Sequence, residues 1–221
     1  MTQTSHTLRA TMQRLMNLCS RKVFVRRTIL GVFLMLTVVV VGAATGLAER
    51  ISDQLVLYVH VAQLYTRSPD KQLSMPIKNV NRSQIAGTWH AARGDSRLHE
   101  GQDIFAPLDT PILSATSGYV VKIGDDNLGG HTVSVVGDGG RKYYYAHLDS
   151  YAPRLKVGDY VTRNTVLGYV GSTGNADGTP PHLHFGVYTA TGPIDPMPLL
   201  TDRPQEKKVP LKTDKAQKQK R

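Results

Sequence analysis

Residues 28–48 contain no charged side chain, and 29–41 are almost wholly aliphatic. At a rise of ~1.5 Å per residue, a helix of that length roughly matches the ~30 Å hydrocarbon core of a bilayer. Such a stretch divides the chain into a short part before it and a long part after it, and only the second has room for an ordinary domain. Arg21, Lys22, Arg26 and Arg27 precede the run and Glu49 follows it. The positive-inside rule then predicts a cytoplasmic N-terminus and an exported remainder. The expected organisation is a basic cytoplasmic tail over 1–27 and a transmembrane signal anchor over 28–48. A juxtamembrane helix and linker over 49–74, a folded domain over 75–200 and a disordered basic tail over 201–221 follow. Gly46-Leu47-Ala48 supplies the small residues a signal peptidase cuts after, so a cleaved and secreted form is the competing reading. The length of the apolar run and of the basic segment before it favours a retained anchor.

The formal charge of +10 sits at the two ends. Residues 1–27 carry +6 and residues 201–221 carry +5, whereas 28–200 carry −1. A domain that binds nucleic acid needs positive charge clustered on itself, so a nucleic-acid partner is not expected. The only cysteine, Cys19, precedes the apolar run, which excludes an intrachain disulfide. It also lies on the wrong side of that run for a lipoprotein cysteine and reads as an idle thiol. An exported domain must then hold together by core packing or by metal.

Beyond the apolar run, Ile51, Leu55, Tyr58, Val59, Ala62 and Tyr65 recur at helical spacing and predict a helix over 49–66, ended by Ser68-Pro69-Asp70. His60 within it is structural or solvated. After residue 75 the pattern changes to short β-branched or aromatic runs separated by Gly, Pro, Asp and Asn, at 111–114, 118–123, 131–136, 142–146 and 165–170. Strands of this length broken by turns predict a compact, mostly antiparallel β domain. Residues 157–161 resemble a biotinyl- or lipoyl-type hairpin but lack that family's tip lysine, and read as scaffold.

Near the end of this domain stands Pro181-His182-Leu183-His184-Phe185. In a strand, residues two apart share a face, so both imidazoles point one way and Leu183 the other. Neutral imidazole is a good zinc ligand, and an imidazole just outside the coordination shell can move protons. The bland alternative is a solvated strand face. A metal needs partners elsewhere: His99 and Asp103 lie four apart on a segment that Gly101 and Ala106-Pro107 keep from being helical, and His147 follows a predicted strand.

These residues resemble the lysostaphin/LytM-type zinc endopeptidases of peptidoglycan. The resemblance runs through His-x-x-x-Asp at 99–103, the histidine of Tyr-Ala-His-Leu at 145–148 and His-Leu-His-Phe at 182–185, in that order. Met75-Pro76-Ile77, Thr88-Trp89, Ala106-Pro107 with Thr110-Pro111, Val157-Gly158-Asp159, the 168–174 segment and Pro193-Ile194-Asp195-Pro196 extend it over roughly residues 75–197. The resemblance implies a mostly β peptidase domain, a compact antiparallel sheet or sandwich with an open groove. It further implies one Zn2+ per chain on His99, Asp103 and His184, with His147 and His182 as unligated catalytic histidines. Three protein ligands leave a fourth tetrahedral position for water, as in catalytic rather than structural zinc sites. His147 and His182 then share two tasks, taking the water's proton and stabilising the oxyanion. Glu100 begins a His-Glu motif that Asp103 breaks, so it is not the expected base.

The remaining candidates have blander readings. His131 heads a strand and reads as surface or packing, and His90 as a loop residue. Arg93 and Arg97 could each meet an acidic stem peptide or make a loop salt bridge. Gly186 departs from relatives that carry glutamate there, which touches local packing and not the five chemical positions.

The expected function is a membrane-anchored zinc metalloendopeptidase acting on peptidoglycan cross-links or stem-peptide bonds. The alternative is a non-catalytic module of the same fold that activates another wall hydrolase, and the five intact positions favour the enzyme. The expected partners are peptidoglycan peptides, the inner membrane through the N-terminal helix, and a regulatory protein. The anchor and its short reach point to a Gram-negative periplasm.

Overall fold

The structure, a computed structural model, describes the backbone of residues 3–93 and 97–204, with side chains from residue 30 onward apart from 94–96. The side chain of Cys19 and most of the predicted C-terminal tail, from residue 205, lie outside the described residues. The chain forms two compact units, residues 1–55 and 56–221.

A single helix, α1, runs from Gln3 to Tyr65. The sequence divided this region at residues 28 and 48, yet it contains no proline before Pro69, so nothing in it interrupts the i→i−4 bonds. The helix ends where the N–H groups of Thr66 and Arg67 turn back to the carbonyls of Gln63 and Leu64, just before Ser68-Pro69. From Leu30 to Tyr65 it is long and apolar enough to cross a membrane. Leu30, Phe33, Leu34, Val38 and Val41 are all exposed. His60, in its last turns, stacks on Tyr119 with ring centroids 4.8 Å apart, the structural role expected of it.

The second unit is mostly β. Its strands are β1 (Leu73–Ser74), β2 (Ala92–Arg93), β3 (Arg97–Leu98), β4 (Gln102–Phe105), β5 (Pro111–Leu113), β6 (Gly118–Asp126) and β7 (Gly130–Gly137). They continue with β8 (Lys142–Tyr151), β9 (Tyr160–Val161), β10 (Val166–Val170), β11 (His182–Thr189), β12 (Gly192–Ile194) and β13 (Leu200–Thr201). Nine strands form one sheet with the path β12-β11-β8-β7-β6-β9; β4 adds to β11, and β10 pairs with both β8 and β5. All these pairings are antiparallel. The parallel pair β1-β13 closes the domain, and β2-β3 is a separate short hairpin. Each of the five predicted runs is a strand. β6 and β8 extend beyond the predicted ends because polar residues there still pair through their backbones.

The core lies on one face of the sheet. Alternate residues of β7, β8 and β11 reach it: Val133 and Val135, Tyr143 and Tyr145, Leu183, Phe185 and Val187, all fully buried. Burying each such side chain contributes roughly 1.5–3 kcal/mol. The opposite face of the same strands is left to the functional groove.

Candidate active site

β4 and β11 run side by side with His184 directly opposite Asp103. His99 reaches the same place from four residues before Asp103, across a bend at Gly101. A Cβ at Gly101 would lie 2.6 Å from the Cε1 and Nε2 atoms of His184, so only glycine lets the segment pass over that ring. His99 Nε2 lies 3.0 Å from Asp103 Oδ1, His184 Nδ1 lies 3.2 Å from the same oxygen, and the two nitrogens are 2.8 Å apart. A tetrahedral ion with arms of about 2.0–2.1 Å sets its ligand atoms about 3.3 Å apart, so this triangle needs little opening to hold one. Two imidazoles and a carboxylate are also a donor set that zinc accepts.

The ligand atoms are oriented from behind. His99 Nδ1–H donates to the Thr88 carbonyl at 2.7 Å, which leaves Nε2 as the bare nitrogen facing the cluster. The Asp103 N–H donates to Thr88 Oγ1 at 2.9 Å. Gln102, fully buried, fixes this segment in turn, accepting from the Thr88 N–H and donating to the Ala86 carbonyl. The Arg93 guanidinium donates to Asp103 Oδ2, the oxygen not shared with the histidines.

His147 arrives by an irregularity. Tyr143 and Tyr145 point into the core and Tyr144 and Ala146 line the groove, so strict alternation would bury His147. Instead its φ is 63°, and Ala146 and His147 together span the gap between the His131–Leu148 and Val133–Tyr145 pairs of β7 and β8. This β-bulge turns two consecutive residues to the groove and returns Leu148 to the core. His147 Nδ1–H donates to the Thr173 carbonyl at 2.8 Å, and His182 Nδ1–H donates to the Pro180 carbonyl at 2.8 Å. Both histidines therefore present a bare Nε2 when neutral. Their rings lie 5.0 Å apart, and His182 Nε2 is 4.0 Å from Asp103 Oδ1.

The electrostatics suit these placements. Burial alone would raise the Asp103 pKa, but its interactions with the flanking His184 and His99 rings outweigh it and hold the carboxyl well below its usual range. Burial pushes His147 down to about 4, against the opposing effect of the Thr173 carbonyl. Burial also lowers His184, against its bond to Asp103. His147 and His184 are thus neutral at pH 7, the form that binds a metal or accepts a proton.

The five residues singled out from the sequence, His99, Asp103, His147, His182 and His184, are brought together at a groove of about 780 Å³. The others are not all absorbed. His131 is outside this cluster, its Nδ1–H donating to the Asp149 carbonyl at 2.9 Å. His90 stacks on Trp89 in the loop. Glu100 and Arg97 line the groove without joining the ligand triangle. Of the two roles weighed for Arg93, the structure has the salt bridge, made to Asp103 itself. Sequence reasoning missed the supporting carbonyls of Thr88, Thr173 and Pro180, because a backbone acceptor leaves no mark in residue type. It also missed Tyr144, Lys142 and Tyr188 on the groove floor. Carrying the alternation of β11 past His184 and of β8 back from Ala146 would have found them.

Comparison with known proteins points to one family. The profile described as "Peptidase family M23" matches residues 97–196. The chain is 38% identical over 124 residues to the L-Ala--D-Glu endopeptidase of Bacillus subtilis, covering 51% of this chain and 38% of that protein. It is 38% identical over 109 residues to lysostaphin of Staphylococcus staphylolyticus, covering 47% and 22%. The chain thus spans well under half the length of these relatives. Against the solved catalytic domain of lysostaphin from Staphylococcus simulans it is 32% identical, covers 92% of that chain and 53% of its own, and superposes with a TM-score of 0.47.

Proposed function

The chain belongs to peptidase family M23, and from that premise we propose that it is a membrane-anchored zinc metalloendopeptidase that hydrolyses peptide bonds in the cross-links or stems of peptidoglycan. One observation carries this reading: His99, Asp103 and His184 offer ligand atoms all within 4.8 Å of one another, beside two further imidazoles that are not part of that triangle. His99, Asp103 and His184 would hold one zinc per chain. When bound there, zinc supplies a Lewis acid and an acidified water with a pKa of about 7.

The chain's own residues do the rest. Burial keeps His147 neutral and the Thr173 carbonyl fixes its tautomer, so its Nε2 is ready to accept a proton. His182, held by the Pro180 carbonyl, presents its Nε2 from the neighbouring strand. Between them, one takes the proton of the attacking water and hands it to the leaving amine. The other, in its protonated form, donates a hydrogen bond from Nε2 to the oxygen on which negative charge develops. The exposed side chains of Leu98, Phe105 and Leu128 form an apolar rim against which a peptide can lie. This rim and the groove walls orient the scissile bond across the cluster.

The Leu30–Tyr65 segment of α1 would anchor the protein in the inner membrane, with the β domain in the periplasm and a regulatory protein restraining it. The bond cut is proposed to be in the stem-peptide cross-link. The test uses the purified full-length protein in detergent. It should contain about one zinc per chain and release muropeptides from purified sacculi, and mass analysis of these identifies the bond. A zinc-free protein that yields no muropeptides under zinc-replete conditions would overturn the reading.

A further inference from the structure

We propose that Lys142, seated on Tyr188 along the groove floor from the ligand cluster, is a binding subsite for a free carboxylate of the substrate peptide. The inference rests on the peptidase reading of the groove and adds to it the chemical class of group that one end of the substrate must carry.

On the groove face of β11, His182, His184, Gly186 and Tyr188 follow one another at every second residue. β8 lies beside it in register, with Tyr144 opposite Gly186 and Lys142 opposite Tyr188. Tyr144 ties the floor together. Its ring meets His184 edge-on at 6.0 Å and Tyr188 at 6.4 Å, and its hydroxyl donates to Asp126 at 2.6 Å. The Tyr188 ring folds back over Gly186, where an added Cβ would come within 2.8 Å of its Cε2. A side chain at 186 would contest the place that the ring occupies. Over the Tyr188 ring stands the Lys142 ammonium, 4.6 Å from its centroid.

Of the other charged residues lining the groove, Arg97 and Glu100 make no ion pair among the described residues, whereas the rest are engaged. Arg93 pairs with Asp103. Asp126 accepts from Tyr144 and from the N–H groups of Gly129 and Leu128, with Lys122 at 3.9 Å. Among the described residues no carboxylate lies within 4 Å of Lys142. A cation held over an aromatic face keeps its position without spending its N–H donors. Lys142 thus has three donors, a fixed seat and no acceptor, and a carboxylate is the ligand that completes it. Four residues of β11 separate Tyr188 from His184, about 13 Å at ~3.3 Å per residue. An extended peptide advances by a similar step, so the carboxylate recognised is three to four residues from the bond at the cluster. A peptide in which a dicarboxylic residue is linked through one carboxyl leaves the other free for this contact.

The experiment compares two soluble stem peptides that differ only in whether that second carboxyl is free or amidated, using the zinc-loaded full-length protein in detergent. Hydrolysis and equilibrium binding are both measured. The free acid should be preferred about tenfold in each. Lys142→Gln should bring the ratio to about one, while Lys142→Arg keeps it. Lys142 is exposed, so neither change disturbs the core. A wild-type ratio near one, or a preference that survives Lys142→Gln, would overturn the proposal. The two levels separate cleanly. Binding preference without any hydrolysis would remove the peptidase reading and leave the carboxylate site standing, whereas hydrolysis without preference would do the reverse.

Discussion

On one face of β11, Leu183, Phe185 and Val187 are fully buried among the aromatic and aliphatic side chains of β7, β8 and β4. On the other, His182, His184 and Tyr188 line the groove, with the buried Gly186 between the last two. The core face is held by the sum of many small, non-directional contacts, so a change of volume is felt in proportion to the cavity it leaves. The groove face is held by single directed bonds. His182 has the Pro180 carbonyl, His184 has Asp103, and Tyr188 has room only because residue 186 lacks a side chain. Fold and chemistry thus occupy one strand, one residue apart, and should fail separately.

The sharpest break of that comparison comes on the groove face. His184→Ala should yield a folded protein without zinc and without detectable hydrolysis, read by metal analysis, circular dichroism and product release. His182→Ala should keep the metal and lose ~10²–10⁴ in kcat, the usual range for a removed acid–base group. A variant that lost zinc as well would place His182 in the ligand set. On the core face, Leu183→Ala should lower unfolding stability by about 2–5 kcal/mol, while each chain that remains folded still carries its zinc. Loss of metal from the folded fraction would mean that the two faces are not independent. The smallest effect is expected from Arg93→Ala. Removing the partner of Asp103 Oδ2 should weaken zinc binding about 10–100-fold, measured by competition with a chelator. An unchanged affinity would make the Arg93–Asp103 pair a surface contact only.

The two faces also differed in how legible they were. The alternation of Leu183, Phe185 and Val187 against His182 and His184 is visible in the residues themselves, because a strand has a period of two. Five further strands of the sheet were legible as β-branched or aromatic runs broken by turns, and the three histidine-bearing motifs were legible as well. His147 was not placed by periodicity. Counting from Tyr143 and Tyr145 assigns it to the core, and the bulge that turns it outward exists only through the pairing with β7. Arg93 was ambiguous between substrate and salt bridge, since its partner lies on another strand. Lys142 and Tyr188 are 46 positions apart, and nothing in their local sequence pairs them until β8 and β11 come into register.

The sequence by itself therefore determined the apolar span, the β-rich domain and the near-neutral charge of its folded part. These follow from composition and from local periodicity, which a chain carries before it folds, while the resemblance of its histidine motifs to a family implies five candidate side chains. The tertiary structure decided which oxygen of Asp103 faces the histidines, which way His147 points, and that a lysine and a tyrosine from two strands meet on the groove floor. Those depend on register, bulges and backbone acceptors brought together over long separations, and such terms have no value until the sheet has formed.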